Sequence, residues 1–175
     1  MAMTTSTRIV LASRPTGAPT AENFRTETAD VPEVGDGQVL LKVLYLSLDP
    51  YMRGRMSDAE SYAEPVAVDD VMCGGTVAEV VESRSDTLPV GSFVLSYSGW
   101  QTHEVVDASS VRRLDPDRAP ISTAVGVLGM PGFTAYAGMT VIGQPKEGET
   151  VVVAAASGPV GSAKATCSGS TSTPP

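Results

Sequence analysis

Histidine occurs once in this 175-residue chain, as His103, and cysteine twice, as Cys73 and Cys167. A tetrahedral zinc site takes three or four Cys, His or acidic ligands at workable spacing, so metal chemistry has little to build on. Two widely separated cysteines in such a chain read as free thiols rather than a bridge, and Cys73 as a small buried residue. Basic residues are also few: 12 Lys and Arg stand against 20 Asp and Glu, a net charge of −8. With no basic run, nucleic acid and anionic membrane surfaces are excluded as partners. No apolar stretch is long enough to cross a bilayer. Nor does the segment from Met1 to Arg8 carry the apolar core of a signal peptide, so a cytoplasmic location is expected. Aromatic residues make up only 5% of the chain, while 17 Gly and 13 Pro favour turns over long helices. A hydrophobic fraction of 42% still suffices for a soluble, folded core.

What is present falls into two styles. Up to about residue 118 the signals are those of short strands and turns. Arg8–Ala12 is a short apolar run, and Val39–Leu48 is a long, nearly all-apolar strand bounded by Gly35-Asp36-Gly37 and Asp49-Pro50. Thr76–Glu82 alternates behind Gly74-Gly75, Ser92–Leu95 follows a Pro-Val-Gly turn, and Gln101–Val106 is a further strand. Short strands at this spacing predict a small barrel or sandwich. After Arg118 the alternation stops. Pro120–Met139 is rich in Ala, Gly and Met and predicts two helical pieces broken near Met130-Pro131-Gly132. Val151–Ala156 then forms an uninterrupted apolar run, as expected of a parallel strand covered on both faces.

That run leads at once into Ser157-Gly158-Pro159-Val160-Gly161. An apolar strand, a Gly-spaced turn and a helix start together make a phosphate cradle: glycine lets the backbone approach a pyrophosphate, and free N–H groups hold its charge. The spacing here is Ala155-x-x-Gly158-x-x-Gly161, and Pro159 suits the first turn of a helix. A purely structural turn would carry the same residues. From Ser162 to Pro175 no Val, Ile, Leu, Met or aromatic residue appears, so that segment is expected to be disordered.

Four segments taken in order carry a family resemblance. They are Leu48–Met56 (LDPYMRGRM), Ser98–Gln101 (SGWQ), Leu128–Tyr136 (LGMPGFTAY) and Val151–Gly161 (VVVAAASGPVG). Together they strongly resemble the zinc-independent medium-chain dehydrogenase/reductases, closest to the NADPH-dependent alkenal, enone and prostaglandin reductases. The resemblance runs from about Val31 to Gly161, and family members are roughly twice as long. It implies a mainly β fold: a GroES-like, partly open β-barrel over residues 1–118. Residues 119–161 would be a helical connector plus the first strand and Gly-rich turn of a nucleotide-binding domain, and 162–175 a disordered tail. Zinc-using relatives carry a Cys near Ser47 to Asp49 and a Gly-His-Glu near Met72-Cys73-Gly74, and neither set stands here.

The resemblance also implies an activity, hydride transfer from NADPH to the β-carbon of an α,β-unsaturated aldehyde or ketone, with a small-molecule substrate as partner. Charge then grows on the carbonyl oxygen and calls for a donor. Tyr51, in the family motif at a strand end, is the candidate catalytic donor or substrate wall; a packed aromatic is its structural alternative. Met52 lines the pocket or fills the core. Met130, Gly132 and Thr134 are candidate nicotinamide-side contacts, and Ala155, Ser157, Gly158, Val160 and Gly161 are candidate cofactor-binding residues. Asp49 reads as a turn residue, Arg53 as a phosphate contact or an ion pair with Asp49, Trp100 as core, and His103 as a hydrogen-bonded surface residue. The chain is expected to be an N-terminal piece of such a reductase, inactive alone, binding NADP(H) weakly or not at all and lacking the family's dimer interface. The alternative is a free-standing GroES-like binding module that associates through an exposed apolar face.

Overall fold

The computed structural model describes residues 4–61 and 63–168. These divide into two compact units, Met1–Ile121 and Ser122–Pro175. The first unit is built from antiparallel strands. β1 (Thr5–Leu11) and β2 (Phe24–Asp30) form a ribbon, with Leu11 opposite Phe24. β3 (Gln38–Leu46), β4 (Thr76–Ser83), β5 (Phe93–Ser96), β6 (His103–Asp107) and β7 (Arg112–Leu114) form a sheet in the order β6-β3-β4-β5-β7. The two ends of that order are not paired with each other, so the sheet stays open. Isolated bridges between Arg8 and Gln101 and between Val10 and Val71 tie the ribbon to the rest.

The apolar stretch of β3 shows how the core is divided. Val39, Leu40 and Leu41 are consecutive and all buried, so both faces of the strand are covered at that point. The pairing with β4 slips between Leu40 and Leu41 and again between Val43 and Tyr45, two bulges that bend the strand. One core gathers Val39, Leu41, Ala78, Val80, Leu88 and Val94. A second gathers Leu11, Met52, Met56 and Met72, with Phe24, Tyr51, Cys73 and Trp100 packed against it. Fully burying one such side chain is worth about 1.5–3 kcal/mol, and three of the second core's four are methionines, whose flexible chains fit irregular space.

The second unit is helical. α2 (Met130–Ala137) is followed by a π-helical stretch (Gly138–Gly143), and α3 (Pro159–Ser168) packs on α2. The two helical pieces the composition implies are present, a short 3-10 helix (Ile121–Val125) and α2, interrupted just before Met130, so that Met130, Pro131 and Gly132 open the second piece. Proline lacks an N–H, and the first turn needs none.

Two expectations fail here. Val151–Ala156 is not a strand: Val151–Val153 has no regular structure and Ala154–Ser157 turns. A strand exists only through its hydrogen-bonded neighbours, and none among the described residues pairs with it. The expected disorder from Ser162 fails as far as Ser168, because these residues complete α3. A helix closes its bonds internally, as Ser162 N–H does on the Gly158 carbonyl at 2.9 Å, and needs no wide apolar face. The remainder of that segment, 169–175, lies outside the described residues.

Candidate functional site

The site grows from the end of β3. Asp49 and Pro50 turn the chain, and Pro50 at φ −56° is already helical. The Met52 N–H donates to the Asp49 carbonyl at 3.1 Å and starts a five-residue helix, α1 (Tyr51–Arg55). Tyr51 therefore stands at a helix start, one turn beyond the strand end expected for it. Its ring is half-buried against the methionine-rich core. Burial pushes the phenol up to about 12, Cys73, Asp49 and Tyr97 add to the rise, and Arg55 opposes it. Tyr51 is thus a neutral O–H donor across the physiological range. Met52 is only 4% exposed, which favours core filling over wall.

Next to α1, Met72–Gly75 is laced to two other segments by main-chain bonds. Ser47 N–H donates to Gly75 O at 2.9 Å, Gly99 N–H to Gly74 O at 3.1 Å, and Trp100 N–H to Met72 O at 2.8 Å. The lacing requires glycine at one place and leaves little space at another. Gly99 has φ +72°, and a Cβ there would collide with the Met72 carbonyl. At Gly74 a Cβ would come within 2.8 Å of Leu46 Cδ1 and 3.0 Å of Met52 Cε.

Tyr97 rises from this seam between two buried serines whose hydroxyls bond each other at 3.0 Å. It is 77% exposed, and its edge lies 3.8 Å from where a Gly75 side chain would begin. Sequence reasoning passed over Tyr97; the Ser96-Tyr97-Ser98 alternation at a strand end was its only trace. Trp100 stacks on Phe24 at 5.5 Å, on the edge of the core, and its buried indole N–H has no hydrogen-bond partner.

The other candidates of this unit have structural partners. Among the described residues Arg53 pairs with no acid and instead donates to the Gly17 carbonyl at 2.7 Å and, more distantly, to that of Pro15, pinning the loop after β1. His103 sits on β6 with Nδ1 3.1 Å from the Thr102 hydroxyl, and burial, then Lys42, lower its pKa. Cys73 is a half-buried free thiol. Among the described residues no group of three or more His, Cys, Asp or Glu could hold a metal ion. No described helix is long and apolar enough to cross a membrane.

In the second unit the candidates fall into two places. Met130 is exposed at the start of α2, Gly132 lies in its first turn, and the exposed Thr134 donates its hydroxyl to the Met130 carbonyl at 2.8 Å. Ala155 and Ser157 are exposed in the turn before α3, and Gly158 N–H closes that turn on Ala155 O at 3.2 Å. Val160 and Gly161 occupy the first turn of α3, where N–H groups have no partner within the helix. A Cβ at Gly161 would strike the Ala155 carbonyl, so the turn and the helix touch at a position only glycine fits. These residues suit a diphosphate. Among the described residues nothing follows them to hold the adenine end of a dinucleotide.

Known proteins share the first unit of this chain. Residues 7–114 match the family model described as the N-terminal domain of oxidoreductase. The chain is 59% identical over 154 residues to the NADPH-dependent curcumin reductase of Escherichia coli, covering 88% of this chain and 45% of that protein. It is 44% identical over 149 residues to rat prostaglandin reductase 1, covering 83% and 43% respectively. The crystal structure of Vibrio vulnificus CurA in complex with NADPH superposes with a TM-score of 0.85 at 57% identity, over 90% of this chain and 47% of that one. The chain thus spans less than half the length of these relatives. On the matched domain and these identities, it belongs to the zinc-independent medium-chain dehydrogenase/reductases, in the group of NADPH-dependent alkenal, enone and prostaglandin reductases.

Proposed function

We propose that these residues form the substrate side of an NADPH-dependent reductase that saturates the C=C bond of α,β-unsaturated aldehydes or ketones. The observation that carries the reading is Tyr51: a neutral phenol donor half-buried against the apolar, methionine-rich core. NADPH, when bound, supplies the hydride to the β-carbon. Tyr51 Oη donates a hydrogen bond to the carbonyl oxygen as that oxygen gains negative charge, and the enolate so formed takes a proton from solvent at its α-carbon to complete the saturated carbonyl. Met52 supports Tyr51 from beneath through packing. Met130, Gly132 and Thr134 border the nicotinamide, and the turn Ala155–Gly161 with Ser157, Gly158 and Val160 receives the diphosphate.

These 175 residues alone bind NADPH weakly or not at all, because the turn is carried by no sheet among the described residues. Isothermal titration calorimetry checks this: no heat at micromolar NADPH is expected, and micromolar binding would overturn it. The activity is tested in a chimera joining this chain at Gly161 to the corresponding C-terminal half of the E. coli curcumin reductase. NADPH oxidation at 340 nm should depend on an added enone, and Tyr51→Phe should lower kcat by about 10²–10³, as removing an oxyanion donor does. Unchanged kcat in Tyr51→Phe removes Tyr51 from the chemistry.

A binding module without catalysis is the second reading. It draws on Val127, Leu128, Phe133, Ile142 and Val152, large apolar side chains left exposed in the second unit. A monomer on size-exclusion chromatography that binds no hydrophobic dye counts against it.

A further inference from the structure

α1 is five residues long, too short to hold itself in place, and no side chain caps its N-terminus. Its position is set by what grips it from outside. Met52 and Met56, one turn apart, anchor one face in the core. The other grip is a reciprocal exchange with the loop after β1. From the helix, Arg53 donates to the Gly17 carbonyl twice, through Nη2 at 2.7 Å and Nε at 3.1 Å. From the loop, Arg14 Nη1 donates to the Met56 carbonyl at the end of α1, at 3.0 Å. Gly17 has φ +91°, a left-handed turn that glycine adopts without strain. Each segment thus lends an arginine to the main chain of the other.

Successive residues of an α-helix are turned by about 100° from one another. Tyr51 and Arg53 therefore leave α1 on opposite sides of Met52. Any roll of the helix about its axis moves both, and carries Arg53 away from the Gly17 carbonyl. An inward roll of Tyr51 meets the filled core, so the roll left open lifts the ring outward. The bonds from Arg53 oppose that roll.

We infer that Arg53 is a positioning residue: tied to the Gly17 carbonyl, it fixes the roll of α1 and keeps the Tyr51 ring half-buried, where its hydroxyl serves the substrate carbonyl. This rests on the reading of Tyr51 as the hydrogen-bond donor and names the residue that holds it there.

Nitration of the whole chain by tetranitromethane at pH 8, followed residue by residue in peptide mass spectra, tests the inference. The reagent attacks phenolate, so the rate at a tyrosine rises about ten-fold for each unit its pKa falls. In wild type Tyr51, whose phenol burial pushes up to about 12, should react far more slowly than Tyr97, which is 77% exposed. Arg53→Ala should speed Tyr51 about ten-fold or more and leave Tyr97 and Tyr136 unchanged. Arg53→Lys keeps a donor for the Gly17 carbonyl and should stay near wild type. Deleting a cation by itself raises a phenol, so lost charge predicts the opposite sign. An unchanged Tyr51 rate in Arg53→Ala, or a rise shared by Tyr97, reduces Arg53 to a tie on the loop and overturns the positioning role while leaving the Tyr51 donor standing. A wild-type Tyr51 that reacts as fast as Tyr97 overturns the donor reading and the positioning role with it. Because Met52 and Met56 still anchor α1, Arg53→Ala should keep the circular dichroism spectrum of the wild type.

Discussion

Replacing Gly99 with alanine combines two costs that the structure separates. Its φ of +72° puts any Cβ in the left-handed region, at a cost of about 1–2 kcal/mol. The same Cβ would run into the Met72 carbonyl, which cannot retreat freely because its oxygen accepts the Trp100 N–H at 2.8 Å. Forcing extra volume against packed atoms adds about 1–3 kcal/mol. Gly37 provides the control: its φ is +76°, and nothing lies within 4 Å of a Cβ built there. Gly37→Ala therefore carries only the first cost, and the difference between the two variants isolates the close approach at about 1–3 kcal/mol. In a small domain that difference lowers Tm by about 4 °C or more. Urea and thermal melts of both variants, followed by far-UV circular dichroism, read it directly. A Gly99→Ala protein within about 0.5 kcal/mol of Gly37→Ala, the scatter of an ordinary surface change, would refute the seam as described.

Further outcomes follow from the titrating groups and from Arg53. The Tyr51 phenol is raised to about 12, so the folded state holds this proton where the unfolded chain, near 10, releases it. Its contribution to stability is therefore intact below pH 10 and lost as pH rises towards 12. Ultraviolet difference titration of wild type against Tyr51→Phe should show a phenolate step near 12, and a step near 10 would contradict the burial argument. His103 is lowered by burial and Lys42, so the unfolded state binds the proton first; its contribution is present above pH 6.5 and lost as pH falls below that value. Wild type should accordingly lose more stability than His103→Gln between pH 7.5 and pH 5.5, and parallel curves would refute this. Arg53→Ala frees the Pro15 and Gly17 carbonyls, and faster protease cleavage after β1, with little change in Tm, is the expected result.

The legible parts of the fold are those in which local pattern and tertiary contact agree. Val39–Leu46, Thr76–Glu82 and His103–Val106 carry apolar residues at strand spacing and are strands. β2 was missed because Phe24-Arg-Thr-Glu-Thr-Ala-Asp30 is mostly polar, and its strand character comes from pairing with β1 along its whole length. β7, three residues with two arginines, carries no apolar signal and owes its state to β5. The opposite error came from Val151–Ala156, whose composition is that of a buried strand but which has no neighbour among the described residues to pair with. Strand character belongs to a pair, and composition reports one member of it.

The candidate site divides along the same line. Tyr51 was singled out as a candidate through its motif LDPYMRGRM, and the structure places it at the start of a helix only five residues long. Arg53 was misread because its acceptors are main-chain carbonyls, which leave no mark in a sequence. Tyr97 went unnoticed because an exposed ring between two serines looks like an ordinary strand residue until the burial of the serines is known.

The seam through Met72–Gly75 and Gly99 also bears on how this domain can change over generations. Its ties are main-chain to main-chain, so they persist whatever side chain stands at position 97. Change at Gly99 is coupled to folding, whereas change at Tyr97 is nearly free of that constraint. Descendants can exchange the ring there for a smaller or branched group while inheriting an unaltered scaffold.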